Sequence, residues 1–226
     1  MISASDLRSA RQDKGWTQAR AAVRLGVSQA YVSLLETGGR HVSVSLLARV
    51  HREYDLSPAM WPFLDTDTCS AGQLAAALGA LGFPGFAHLP NRRRLNPAQA
   101  LLHALKQDRL ESRSAAALPW VIAQYPRLDW DWLIDRVKLA DCQNRLGFLV
   151  SLARRMAERS HDAEVVDALS RVEERLERSV LAREDSLGQP DMTDAERRWL
   201  RRHRSAAARR WHLLSNLSVE HLTNAT

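Results

Sequence analysis

Gly26 stands between two short stretches, TQARAAVRL and VSQAYVSLLETG, and this arrangement constrains the start of the chain more than any other feature. Each stretch carries a hydroxyl residue at its head and small or apolar residues three and four apart behind it. Thr17 and Ser28 are the predicted caps, because a side-chain oxygen there can accept from the unpaired backbone N–H groups that open a helix. A glycine directly after the first stretch supplies the left-handed conformation needed for a sharp turn. Two short helices meeting at a tight turn follow, with Ala21, Ala22, Leu25, Val32 and Leu35 facing inward and Val27 filling the angle. Gln29, Ala30, Ser33 and Leu34 then point outward.

The same spacing of three and four continues along the chain, and no stretch alternates apolar with polar residues, so the expected fold class is all-α. At 226 residues, two domains are expected. The first spans 1–64, DTDTCSAG at 65–72 is the linker because it collects small and polar residues, and a mostly helical domain fills 73–226.

In that second region GFPGFAHLP interrupts regular structure, Arg92, Arg93 and Arg94 form a basic loop, and Asn96 caps a helix with Pro97 at its first position. Asp129 is an N-cap, and one long helix runs from His161 to Asp185. Thr193 and Glu196 form a capping box that opens a final helix, ERRWLRRHRSAAARRWHLL. Trp199, Leu200, Ala207, Trp211 and Leu214 share one arc of it and most of its arginines lie opposite. Arg201, Arg202 and Arg209 on that outer face are either solvated or meet phosphate or an acidic partner protein. Trp120, Tyr125, Trp130 and Trp132 either pack the core or line a partner groove.

Hydrophobic residues make up 45% and charged residues 26%, a balance that lets the chain bury a core. The formal charge of +6 points to an anionic partner, although with only Lys14, Lys106 and Lys138 as lysines the arginine bias fits a GC-rich genome equally well. No apolar run is long enough to span a bilayer and the first residues lack the apolar segment of a signal peptide, so a cytoplasmic protein without membrane partners is expected. Cys69 and Cys142 form no CxxC, and the histidines show no metal-binding spacing. Asp129 and Asp131 make a DxD, but phosphoryl transfer would also need further carboxylates and a glycine-rich loop, and no GxSxG elbow occurs. No catalytic residue, metal or cofactor is therefore expected, and the chain does not read as an enzyme.

LRSARQDKGWTQ, GVSQAYVSLLETG and VSLLARVHREYDLSP, from Leu7 to about Pro58, resemble in order the opening helix, helix-turn-helix and closing helices of the Cro/CI (Xre) repressor family. The resemblance implies a five-helix DNA-binding domain. It places Gln29 at base edges in the major groove, Ala30 and Ser33 as the next candidates, Gln18 and Ser28 on phosphates, and Arg40 on a further phosphate. It also implies that Arg11 and Glu36 form an internal ion pair. The family commonly has a proline before its fourth helix, where this chain has RHVSVSLL with Ser43 or Ser45 as the cap. The implied function is a transcriptional repressor that binds an inverted-repeat operator in double-stranded DNA as a homodimer.

The stretch from Ala117 to Ala153 is similar to the C-terminal part of AbiEi-type antitoxins, with Arg145, Leu146, Gly147, Phe148 and Leu149 carrying the likeness. Trp211 and Asn216 are similar to the close of that family. That resemblance implies the alternative of an antitoxin that represses its own operon and neutralises a nucleotidyltransferase-like toxin through its C-terminal region. The N-terminal domain differs, since that family usually begins with a winged helix.

Overall fold

The computed structural model describes residues 2–64, 68–89 and 94–220, with the backbone alone at Val44. Asp65, Thr66 and Asp67 of the expected linker, and Arg92 and Arg93 of the basic loop, lie outside the described residues. The chain divides into two compact units, Met1–Phe63 and Leu64–Thr226. No helix among the described residues is long and apolar enough to cross a membrane.

The first unit contains α1 (Ala4–Asp13), α2 (Gln18–Leu25), α3 (Gln29–Glu36) and α4 (Val44–Tyr54), and its fifth element is a single 3-10 turn at Pro58–Met60. Side-chain oxygens of Ser3, Thr17 and Ser28 accept from backbone N–H groups at the starts of the first three helices. Ser43 holds the cap position of α4, yet its hydroxyl meets that of Ser45 at 3.1 Å and makes no capping bond. Leu7, Leu25, Val32, Leu35, Leu46, Val50 and Tyr54 are buried together, with Val27 packed against them. Each such aliphatic side chain removed from water contributes about 1.5–3 kcal/mol, which offsets the entropy of ordering four short helices.

The second unit contains α5 (Ala71–Ala80), α6 (Pro97–Leu105), α7 (Ser112–Gln124), α8 (Trp130–Leu139), α9 (Gln143–Arg159), α10 (Ala163–Glu177), α11 (Asp194–His203) and α12 (Ala206–Arg210). A 3-10 turn lies at Pro84–Phe86, and two-residue strands β1 (Asp185–Ser186) and β2 (Leu213–Leu214) pair in parallel. The element α9 packs against α7, α8, α10 and α12 and so forms the centre of this unit. Leu146, Phe148, Leu149 and Val150 on it are fully buried.

Three expectations need correction here. The linker ends early, because Ser70 and Gln73 make a capping box that draws Ala71 and Gly72 into α5. The long charged helix is shorter than 161–185, since Asp162 caps it at Val165 and it closes at Glu177. Beyond that point Asn144 accepts from the Leu181 N–H at 2.9 Å and donates to the Leu181 carbonyl at 2.8 Å, which ties the chain to α9 in place of another helical turn. The final helix is also divided: Arg204 is extended, with ψ of 145°, and Ser205 starts α12 by accepting from the Ala208 N–H at 3.1 Å. The arc proposed for the tryptophans therefore does not exist. Trp211 is buried and donates to the Ser151 hydroxyl at 2.8 Å, while Trp199 is 51% exposed and stacks on His203. Ser151 in turn bonds the buried Glu173 carboxylate, which also receives Arg154 Nε at 2.8 Å.

Candidate nucleic-acid interface

In the first unit, α2 ends because Gly26 adopts a left-handed conformation at φ 64°, ψ 38°. The Gly26 N–H donates to the Val23 carbonyl at 3.2 Å and the Val27 N–H to the Ala22 carbonyl at 3.0 Å, the paired bonds of a Schellman turn. Arg49 of α4 donates from Nη1 to the Leu25 carbonyl at 2.7 Å, which satisfies one more of the carbonyls left by the helix end. The turn angle is thus held from both sides. Ser28 then begins α3, accepting from the Tyr31 N–H at 3.1 Å.

Val32, Leu35 and Glu36 form the buried side of α3, leaving Gln29 and Ala30 exposed and Ser33 half-buried. Leu34 lies 43% exposed on that outward side, one turn after Ala30. Helical spacing places Leu34 outward beside Gln29, Ala30 and Ser33, but the family resemblance gives base-reading roles to those three alone. The Ser28 hydroxyl uses a lone pair in capping and keeps its proton for an outside acceptor.

Beneath this surface Arg11 meets Glu36 in a bidentate pair, with Nε to Oε1 at 2.6 Å and Nη2 to Oε2 at 3.0 Å. The side chains are 12% and 3% exposed. Arg11 Nη1 also donates to the Trp16 carbonyl at 2.6 Å, and Gln18 Nε2 to Glu36 at 3.1 Å. Burial by itself would raise the Glu36 carboxyl, but the bonds from Arg11 and Gln18 outweigh it and hold it below its ordinary value. Burial first, and the Glu36 charge second, push the neighbouring Tyr54 hydroxyl up to about 12. Gln18 therefore uses one amide hydrogen inside the unit and retains the other at the start of α2.

Arg40 follows α3, positioned by its own N–H on the Leu34 carbonyl at 3.1 Å, and its exposed guanidinium makes no ion pair among the described residues. The outward surface thus combines base-edge-sized groups on α3 with donors at two helix N-termini, where the helix dipole favours anions.

The other candidates lie in the second unit. Arg201 on α11 is engaged by Glu184, Nε to Oε2 at 2.9 Å, whereas Arg202 and Arg209 are exposed without ion pairs among the described residues. Because the helix breaks at Arg204, Arg209 sits on a different element from the other two. Arg145 pairs with Asp185 at 2.8 and 2.9 Å, Gly147 abuts Trp211, and Asn216 is exposed. Asp129 caps α8 at the Trp132 N–H, and Asp131 pairs with Arg175. Of the aromatic group, Trp120 meets Phe83 and lies against Gly82, Tyr125 donates to the neighbouring Leu81 carbonyl, and Trp130 donates to the Pro126 carbonyl.

Residues 7–61 match the helix-turn-helix family, and the first unit is a helix-turn-helix domain of the Cro/CI type. The match ends before the second unit begins. No curated protein and no solved structure matches the chain. A domain of this kind marks a DNA-binding transcriptional regulator.

Proposed function

We propose that this chain is a sequence-specific transcriptional repressor that binds an inverted-repeat operator as a homodimer. The observation that carries the reading is the outward side of α3, where Gln29, Ala30 and Ser33 stand free of the core on a helix whose entry angle is held by Gly26 and Arg49. A Gln amide can bond an adenine edge at two points, and the N-termini of α2 and α3, with Gln18, Ser28 and Arg40, offer donors for phosphates on either side.

The dimer follows from specificity. One domain reads only a few base pairs, so an operator in a genome requires two copies about one helical turn apart. The second unit, with its larger buried core, is the part we assign to the dimer contact. Selection of binding sequences from random duplex DNA by the full-length protein, with sedimentation of the free protein, tests this. Enrichment of a two-fold symmetric sequence by a sedimenting dimer is expected, and a monomer that enriches no sequence sinks the proposal.

A further inference from the structure

The outward side of α3 carries two exposed apolar side chains, Ala30 and Leu34. Ala30 and Leu34 lie one turn apart, directly opposite the buried stripe of Val32 and Leu35, while Gln29 and Ser33 occupy the ridge beside them. Leu34 is 43% exposed, and it is placed by backbone on both sides: its carbonyl accepts from the Arg40 N–H at 3.1 Å, and its Cδ2 lies 3.1 Å from the position a Cβ on Gly39 would take. A larger residue at position 39 would push this leucine from its place.

An apolar side chain here has no use for the donors and acceptors of a base edge. The major groove offers it one complementary group, the C5-methyl of a pyrimidine, which thymine carries and cytosine lacks unless it is methylated. Resting on the repressor reading above, we infer that Leu34 is a specificity-determining residue and that, with Ala30, it reads pyrimidine C5-methyl groups. The operator half-site accordingly has thymine beneath these two residues, next to the base pair read by Gln29. Enclosing one methyl between Leu34 and Ala30 is worth about a fourfold change in affinity, the effect of burying a single methylene-sized group.

The test uses the full-length protein and the operator selected from random DNA. Each thymine of the half-site is replaced in turn by deoxyuracil, which keeps the Watson–Crick pairing and removes only the methyl. We expect one or two positions to lose about fourfold in affinity. Leu34→Ala should bind the thymine operator more weakly than wild type and show no loss on deoxyuracil. Leu34 lies outside the core, so this variant keeps the fold. Replacing the same thymine by 5-methylcytosine, with guanine opposite, should retain more affinity than replacing it by cytosine, by about the same factor, and Leu34→Ala should abolish that difference. An operator that tolerates every deoxyuracil, and binds alike with cytosine and 5-methylcytosine in place of each thymine, overturns the inference and leaves the repressor reading intact. Failure to select any sequence overturns both.

Discussion

Gly147 and Trp211 touch so closely that a Cβ on the glycine would fall 2.3 Å from the indole ring. This contact packs the segment after α12 onto α9, the central helix of the second unit, and it works with the bond from the Trp211 N–H to Ser151. The first prediction is that Gly147→Ala overpacks the site and lowers stability by about 1–3 kcal/mol or more, because ring and helix backbone are both enclosed. Ser151→Ala leaves the indole N–H and one Glu173 oxygen without their partner, at about 1–3 kcal/mol. Denaturant unfolding followed by tryptophan fluorescence measures both, and wild-type stability in Gly147→Ala would contradict the contact.

The second prediction concerns Arg11 and Glu36. Glu36→Gln leaves a largely buried guanidinium without its anion, and about 3–5 kcal/mol should be lost from the first unit. Hydrogen exchange of amides in α1 and α3 of the full chain reads this unit separately. Exchange as slow as in the wild type would show that the pair contributes little.

The pH dependence has a sign at each end. The folded-state value of Glu36 is depressed, so its contribution is present above the ordinary carboxylate value of 4.5 and disappears as pH falls through the folded value. The folded-state value of Tyr54 is raised from 10.0 to about 12, so its contribution is present below pH 10 and is lost as pH rises towards 12. Amide exchange in the first unit, corrected for its intrinsic pH dependence, should accelerate at both limits. Tyr54→Phe should remove the alkaline limb and leave the acid one.

A fourth prediction concerns the turn. Gly26→Ala forces a β-carbon into a left-handed conformation, at about 1–2 kcal/mol, and places its methyl 2.5 Å from Arg49 Nη1. Arg49 must then leave the Leu25 carbonyl. In an Arg49→Met background the same glycine substitution should therefore cost less, a coupling visible in a double-mutant cycle. Strict additivity would mean that Arg49 shifts without loss.

The last prediction separates base reading from phosphate contact. Gln29→Ala should weaken operator binding by about 1–3 kcal/mol and leave random DNA nearly unaffected. Arg40→Ala should weaken both and reduce the salt dependence by about one unit of log–log slope. Equal losses on both DNAs for Gln29→Ala, or an unchanged slope for Arg40→Ala, would remove that residue from its assigned role.

Local chemistry was enough to read the first unit from sequence: a capping hydroxyl at Thr17 and Ser28, a glycine able to go left-handed at 26, and apolar residues at helical spacing act within a few residues of themselves. The all-α class and the capping boxes at Ser70 and Thr193 are legible for the same reason, a hydroxyl residue three positions before Gln73 or Glu196. What the sequence could not decide is anything settled by a partner far along the chain. Helix spacing continues past Glu177 and past Arg204, but Asn144 captures Leu181, and Ser151 with Gly147 captures Trp211, so both helices end early. Arg201 looks like its neighbours in sequence and is separated from them by Glu184, 17 residues away. Helical spacing puts Leu34 outward, but only the folded chain shows what holds it there, the Arg40 N–H on its carbonyl and Gly39 beside its Cδ2. Capping and turn formation are local free energies, whereas burial and ion pairing depend on which distant groups the folded chain brings within reach.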